Sequence, residues 1–180
     1  MHTPVATDDL TQTYRCAIAR FCTGVTVITT NTPDGPVGMT ASAVTSLSLD
    51  PLQLIVCIGN TLATKSAITE TGRFAVNVLS RDQEHLARRF ASRGVNKFAG
   101  LELLADHDVP VLANTVAHFV CETAEAIPGG DHTIMIGDVI ACAYDPDISP
   151  LLYYGSAFGS LCDEATHARL GFEMQIAAMA

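Results

Sequence analysis

A chain of 180 residues with 48% hydrophobic side chains is long enough to bury one sizeable core and short enough to be read as a single domain. Only 16% of its residues are charged, and 10 Lys and Arg against 19 Asp and Glu leave a formal net charge of −9, a balance that argues against sequence-independent nucleic-acid binding. The mean hydropathy of +0.29, with so little charge to cover a monomer, leads to the expectation of a homo-oligomer.

Met1 to Asp9 hold no cationic patch ahead of an apolar run, so no secretory leader is expected. No uncharged apolar stretch approaches bilayer-spanning length, and a cytoplasmic protein without a membrane partner is expected. Six cysteines stand at Cys16, Cys22, Cys57, Cys121, Cys142 and Cys162 without a Cys-x-x-Cys pair or a zinc spacing, and the histidines form no spaced set; no metal is expected. Cys57, Cys121 and Cys142 lie inside apolar runs and read as small core residues.

In chain order, Asp8 and Asp9 precede Leu10, Tyr14, Ile18 and Phe21, the spacing of an amphipathic helix that Gly24 ends. Val25 to Asn31 reads as a strand, and Thr32-Pro33-Asp34-Gly35 as the turn of a hairpin into Pro36 to Ala41. Gly38 to Pro51 interleaves Thr40, Ser42, Thr45, Ser46 and Ser48 with Met39, Val44, Leu47 and Leu49 and contains no basic residue. Its small residues let a flat ligand approach the main chain, whose N–H groups and hydroxyls can bond ring carbonyls and ring N–H groups; a polar-edged strand and turn is the plainer account. After Asp50-Pro51, Leu52 to Ile58 is an apolar run with the content of a central strand.

Gly59 to Ser66 then leads into a short helix ending at Gly72. Thr61, Thr64 and Lys65 at its start suit an anion, or else a simple Thr cap. Arg73 to Leu79 is another strand, and Ser80 with Gln83 forms a capping box opening a helix that carries Leu86 and Phe90. Between Arg81 and Lys97 lie Arg81, Arg88, Arg89, Arg93 and Lys97 against Asp82 and Glu84, a local charge reversal that suits a phosphorylated small molecule or a solvated helix face. The chain is irregular from Gly100 to Pro110. Val116 to Ala126 and Thr133 to Tyr144 are β-rich and are joined by a loop from Ile127 to His132, in which Asp131 and His132 have access to a neighbouring ligand. Leu151 to Tyr154 is a last strand, and helix-compatible residues run from Cys162 to the end. Without strand–helix–strand alternation, the fold expected is mainly β: an antiparallel barrel with peripheral helices.

Four segments together resemble the flavin reductase family, the short-chain NAD(P)H:flavin oxidoreductases that supply reduced flavin to two-component monooxygenases. They are Thr23 to Thr30, Gly38 to Pro51, Gly72 to Leu79, and Gly130 to Ile134 with Ile136 to Val139. The resemblance covers roughly Arg20 to Tyr154. It implies one domain on a split, Greek-key β-barrel, with a helical arm at about 8–22, the barrel at about 23–160 and a tail at about 161–180. It also implies a homodimer, bound FMN or FAD, NADH or NADPH as hydride donor, and a flavin-dependent monooxygenase served by diffusive transfer. On this pattern Thr40, Ala41 and Ser42, with Met39 beside them, line the isoalloxazine, and Thr45, Ser46 and Ser48 add contacts. Cys57, Ile58, Gly59, Thr61, Thr64 and Lys65 follow the ribityl chain and phosphate. Phe90, Lys97 and Phe98 complete the flavin side, while His132, the one residue given a catalytic part, and Tyr153 face the nicotinamide. The chain departs from the pattern at Cys22, Ala43, Val44 and Val109, and it has no Trp. Two other readings share the barrel: a flavin carrier without turnover, and a pyridoxamine-phosphate-oxidase-like enzyme, which calls for more phosphate-binding arginines.

Overall fold

The computed structural model describes residues 9–94 and 96–161. Asp9 caps the first helix, α1 (Leu10–Ile18), by accepting a hydrogen bond from the Thr11 N–H at 2.9 Å. The helix stops at Ile18 instead of running to Gly24, because Thr23–Gly24 is taken up as a strand, β1. None of its side chains is buried: the Leu10, Tyr14 and Ile18 stripe faces away from the core of its own chain. There follow β2 (Thr26–Thr32), β3 (Gly35–Ala41), β4 (Val44–Leu49), β5 (Leu52–Gly59), α2 (Ala63–Thr71), β6 (Arg73–Val78), and a 3₁₀ turn, Arg81–Gln83, leading into α3 (Glu84–Ala91). The rest is strand: β7 (Leu103–Leu104), β8 (Val111–Leu112), β9 (Ala117–Gly129), β10 (His132–Tyr144), β11 (Leu152–Tyr154) and β12 (Ala157–Gly159). The helix expected after Cys162 lies outside the described residues.

Seven strands make one antiparallel sheet in the order β3-β2-β6-β9-β10-β5-β4; β1, β11 and β12 form a second sheet, and β7 pairs with β8. The two edges of the large sheet, β3 and β4, are consecutive in the chain and are joined by Ser42 and Ala43 alone. A sheet whose opposite edges stand two residues apart cannot lie flat, so it curls until the edges share a corner. The Cys57 N–H donates to the Ala43 carbonyl at 3.0 Å and fixes that corner. No ladder joins β3 to β4 among the described residues, so the barrel is split at this seam.

The interior is filled by Ile28, Val56, Ile58, Phe74, Val76 and Met135 from the strands and Ile68 from α2. On the other face of β2, Val25, Val27 and Leu79 pack with Leu86, Ala87 and Phe90 of the α3 segment. β2 is therefore covered on both faces, and its buried threonines need internal partners. Thr26 Oγ1 donates to the Ala41 carbonyl at 2.7 Å, Thr30 Oγ1 to the Arg73 carbonyl at 2.7 Å, and Thr29 Oγ1 to the Pro110 carbonyl. Asn77 is buried and satisfied: its amide donates to the Val27 carbonyl at 2.9 Å and accepts from the Leu112 N–H at 2.8 Å, which draws β8 against β6.

Several local expectations meet a different outcome. The imperfect alternation in β4 has a cause: the register with β5 shifts between Ser46 and Ser48, so Leu47 is a bulge residue. The Ser80–Gln83 capping box is present, with the Ser80 N–H donating to Gln83 Oε1 at 3.1 Å, but it opens the 3₁₀ turn that precedes α3. The expected loop from Ile127 to His132 is mostly strand. Only Gly130 and Asp131 stand outside β9 and β10, with Gly130 at φ +71, the position where a two-residue hairpin turn takes glycine. Pro128 pairs with Thr133 next to the closing His132–Gly129 pair, so its missing N–H faces away from β10. It lies beyond Glu122, where β6 stops pairing. Of the cysteines expected in the core, Cys121 is buried, Cys57 half-buried and Cys142 exposed, and none of the five described thiols is in a disulfide. Burial pushes the Cys121 thiol up to about 12, with smaller contributions from Asp138 and Cys142, so it stays protonated and inert.

Gly137 lies under the Phe74 ring: a Cβ there would stand 2.6 Å from Phe74 Cζ and 2.9 Å from Cys121 Cβ. Gly137→Ala is expected to destabilise the fold by about 1–3 kcal/mol. Urea denaturation measures this as a lowered midpoint at unchanged slope.

Candidate functional site

Two grooves open on the surface, and the Gly38 to Ser48 stretch passes from one to the other. The first, of about 790 Å³, lies between β3, the start of α2 and the segment following α3. Its β3 wall is main chain. In the β2–β3 register Met39 and Ala41 exchange hydrogen bonds with β2, so the N–H and C=O groups of Gly38 and Thr40 point away from it, toward the open edge. Gly38 must be bare: a Cβ would stand 2.8 Å from Phe90 Cε1 and 2.9 Å from the Ile28 carbonyl. Phe90 meets Phe98 edge to face at 5.1 Å. Lys97 Nζ donates to the Gly38 carbonyl at 3.0 Å and to the Phe90 carbonyl at 2.8 Å, tying its segment to β3 and α3. Burial lowers the pKa of this ammonium, and two of its three donors are already used.

The opposite wall is formed by Thr61, Leu62, Ala63 and Thr64. A Thr cap was the plain expectation for this helix start, but the N-cap is Leu62 and no side chain caps α2, which leaves its first N–H groups open. Among the described residues Arg93 and Lys97 line the groove and no carboxylate does, in a chain of net charge −9. The other basic residues of this region are engaged elsewhere. Arg88 pairs with Glu84 at 2.6 Å and lies over the Phe158 ring, Arg89 donates to the Ala99 carbonyl at 3.0 Å, and Arg81 stands beside Asp82.

The structure brings Met39, Thr40, Thr61, Thr64, Phe90, Lys97 and Phe98 to this first groove. The Thr40 hydroxyl donates to the Ala87 carbonyl at 2.6 Å, so its main chain is the part free to donate. Ala41 is buried beneath the groove edge, Cys57 is half-buried, and the Ile58 side chain points into the core. Lys65 is on α2 but does not line the groove. Ser42, Thr45, Ser46 and Ser48 line the second groove, of about 540 Å³, with Val44, Leu49, Leu52 and Cys142. Tyr153 lines neither; it pairs with Thr23 and its ring packs on Phe158 at 5.3 Å.

His132 stands at the tip of the β9–β10 hairpin, directly opposite Gly59 in the β5–β10 register. Its Nδ1 is 2.7 Å from Asp131 Oδ1, and this contact is the main cause of the lowered Asp131 pKa. The carboxylate accepts, so Nδ1 carries a proton. Sequence reasoning passed over Asn60, which bonds this turn through both its main chain and its side chain; the partners are some 70 residues away, and no local pattern reports them. Among the described residues no cluster of His, Cys, Asp or Glu is set to hold a metal ion, and no helix is long and apolar enough to cross a membrane.

Comparison with known proteins places this architecture. Residues 18–161 match the flavin reductase like domain. The FMN reductase (NADH) SmoA of Agrobacterium fabrum is 40% identical over 159 residues, which is 88% of this chain and 90% of that protein. The flavin-dependent monooxygenase reductase subunit HsaB of Mycobacterium tuberculosis is 34% identical over 86% of this chain and 84% of its own. Among solved structures, the NADH:FAD oxidoreductase SgcE6 of Streptomyces globisporus, in complex with NAD and FAD fragments, superposes with a TM-score of 0.84. It is 33% identical and the match covers 91% of this chain and 99% of that one. With the family's domain spanning the whole barrel and relatives above 30% identity over most of the chain, this protein belongs to the flavin reductase family.

Proposed function

We propose that this protein is an NAD(P)H:flavin oxidoreductase that reduces FMN or FAD and releases it to the oxygenase component of a two-component monooxygenase. The observation that carries the proposal is the first groove: main chain on one wall, an uncapped helix start on the other, and, among the described residues, two cations with no carboxylate along its lining. A flavin mononucleotide has the matching chemistry, a planar ring with carbonyl and N–H edges and an anionic tail. The outward N–H and C=O of Thr40 fit the ring, and the α2 start fits the phosphate. Bound there, the flavin supplies an N5 that takes a hydride from C4 of NADH or NADPH, solvent supplying the proton, to give NAD(P)⁺ and reduced flavin.

The chain's own work is placement and charge. The Thr40 main chain donates toward a carbonyl edge on which negative charge grows, and rigid donors do this without reorganising. Thr61, Thr64 and the first N–H groups of α2 hold the anionic tail, and Lys97 and Arg93 supply the positive field. Phe90 and Phe98 exclude water from one side of the groove. His132, steadied by Asp131, orients the nicotinamide. Such a reaction needs no nucleophile and no metal from the protein.

The homodimer is part of the same proposal. Leu47, Leu49 and Leu52 along β4 and β5, Ile140 and Tyr144 on β10, and Leu10, Tyr14 and Ile18 of α1 are all exposed large apolar side chains, the kind of surface that a partner covers. A second copy of this chain is the occupant proposed for that surface. A cytoplasmic setting, where reduced nicotinamide is made, belongs to the same reading.

Anaerobic mixing of the protein with FMN or FAD and excess NADH or NADPH is expected to bleach the yellow flavin absorption; a solution that stays yellow with both nucleotides identifies a carrier instead. Lys97→Met is expected to weaken flavin affinity about tenfold to hundredfold, the worth of one charge-assisted hydrogen bond. A fluorescence titration measures it, and unchanged affinity removes Lys97 from the site. Sedimentation of the wild type is expected to give a dimer, and Leu49→Asp with Ile140→Asp a monomer.

A further inference from the structure

Asn60 ties together two parts of the site that the chain supplies separately. It sits in the connection between β5 and α2, just ahead of Thr61 and Thr64 in the groove wall. Three of its four hydrogen-bonding groups reach the β9–β10 turn. Its main-chain N–H donates to the Asp131 carbonyl at 3.0 Å, Nδ2 donates to the Gly130 carbonyl at 3.2 Å, and Oδ1 accepts from Thr133 Oγ1 at 2.7 Å. A carbonyl can only accept, so the amide has one orientation that satisfies both side-chain bonds. The partners stand on either side of His132, whose own contacts are Asp131 and the facing Gly59; a Cβ on Gly59 would be 3.8 Å from His132 Nε2.

A two-residue turn closing two 13-residue strands needs no outside support to form. What the Asn60 side chain adds is a fixed relation between that turn and the wall made by Thr61 to Thr64. We infer that Asn60 is a positioning residue for His132, setting the imidazole against the groove wall without touching either substrate. This rests on the assignment of His132 to the nicotinamide. The specific consequence is that Asn60 governs the nicotinamide side of the reaction and leaves flavin affinity alone, although it is next in sequence to the proposed phosphate loop.

The test uses full-length wild type, Asn60→Ala, His132→Ala and the double variant, with Thr133→Val as a milder probe that removes only the Oδ1 bond. In the ligand-free protein, Asn60→Ala is expected to shift the His132 ring resonances and their pH titration in NMR spectra, and Thr133→Val to shift them less in the same direction. With FMN and NADH, Asn60→Ala is expected to raise KM for NADH or slow anaerobic reduction by roughly tenfold, while the FMN Kd stays within about twofold. The double variant is expected to be no worse than His132→Ala alone, as for residues acting through one another. Unmoved His132 resonances in both Asn60→Ala and Thr133→Val overturn the inference, as does full additivity in the double variant. Wild type that fails to reduce flavin overturns the proposed function instead, and the ring resonances still decide the role of Asn60.

Discussion

The fold depends on a single covalent constraint: Ser42 and Ala43 span the gap between the two edges of a seven-stranded sheet. Everything that makes a site here follows from that short span. Curling brings β3 and β4 to a shared corner yet leaves their outer hydrogen-bonding groups unpaired with each other, so the sheet keeps an open edge where a fully laddered barrel has none. Phe90 and Lys97 then close over part of that edge, the ring against bare Gly38 and the ammonium on its carbonyl. What remains exposed is a strip of donors and acceptors flanked by apolar rings.

Charge is arranged with the same economy. An acidic protein repels anionic nucleotides at long range, and among the described residues the carboxylates stay out of the groove lining and several pair with arginines elsewhere. Arg73 joins Asp108 and Glu122 on the far side of β6, and Arg88 joins Glu84 on α3. The positive charge left for the groove, Arg93 and Lys97, meets an uncapped helix start on the facing wall. Near the α3 segment the sequence shows five basic residues as equivalents; only the fold separates Arg93 and Lys97, which line the groove, from Arg81, Arg88 and Arg89, which do not.

The parts legible in the sequence were those written in local chemistry. The Pro33-Asp34 turn, the Ser80–Gln83 box, the Gly72 helix end and the apolar run of β5 are each decided within a few residues, and all four are present. The flavin reductase family was legible as four segments in order, because each carries its own turn or strand chemistry. The parts that were not legible are set by register. Pro128 reads as a loop residue until the register puts its missing N–H on an unpaired side of β9. Ser42, Thr45, Ser46 and Ser48 look continuous with Thr40, but the corner at Ala43 turns them into a second groove. Gly137 is required by Phe74, and Asn60 is bonded to the hairpin turn, across separations that no periodicity reports. Gly24 misled for the same reason: β11 recruits it as a strand partner before it can end a helix.

Helix α1 carries one more implication. Nine residues in water are too few to hold a helix by backbone bonds alone, and this one gains no burial from the chain that bears it. In the homodimer proposed above, the burial of Leu10, Tyr14 and Ile18 by the second copy and the coiling of those residues are one event, which couples the order of this helix to association.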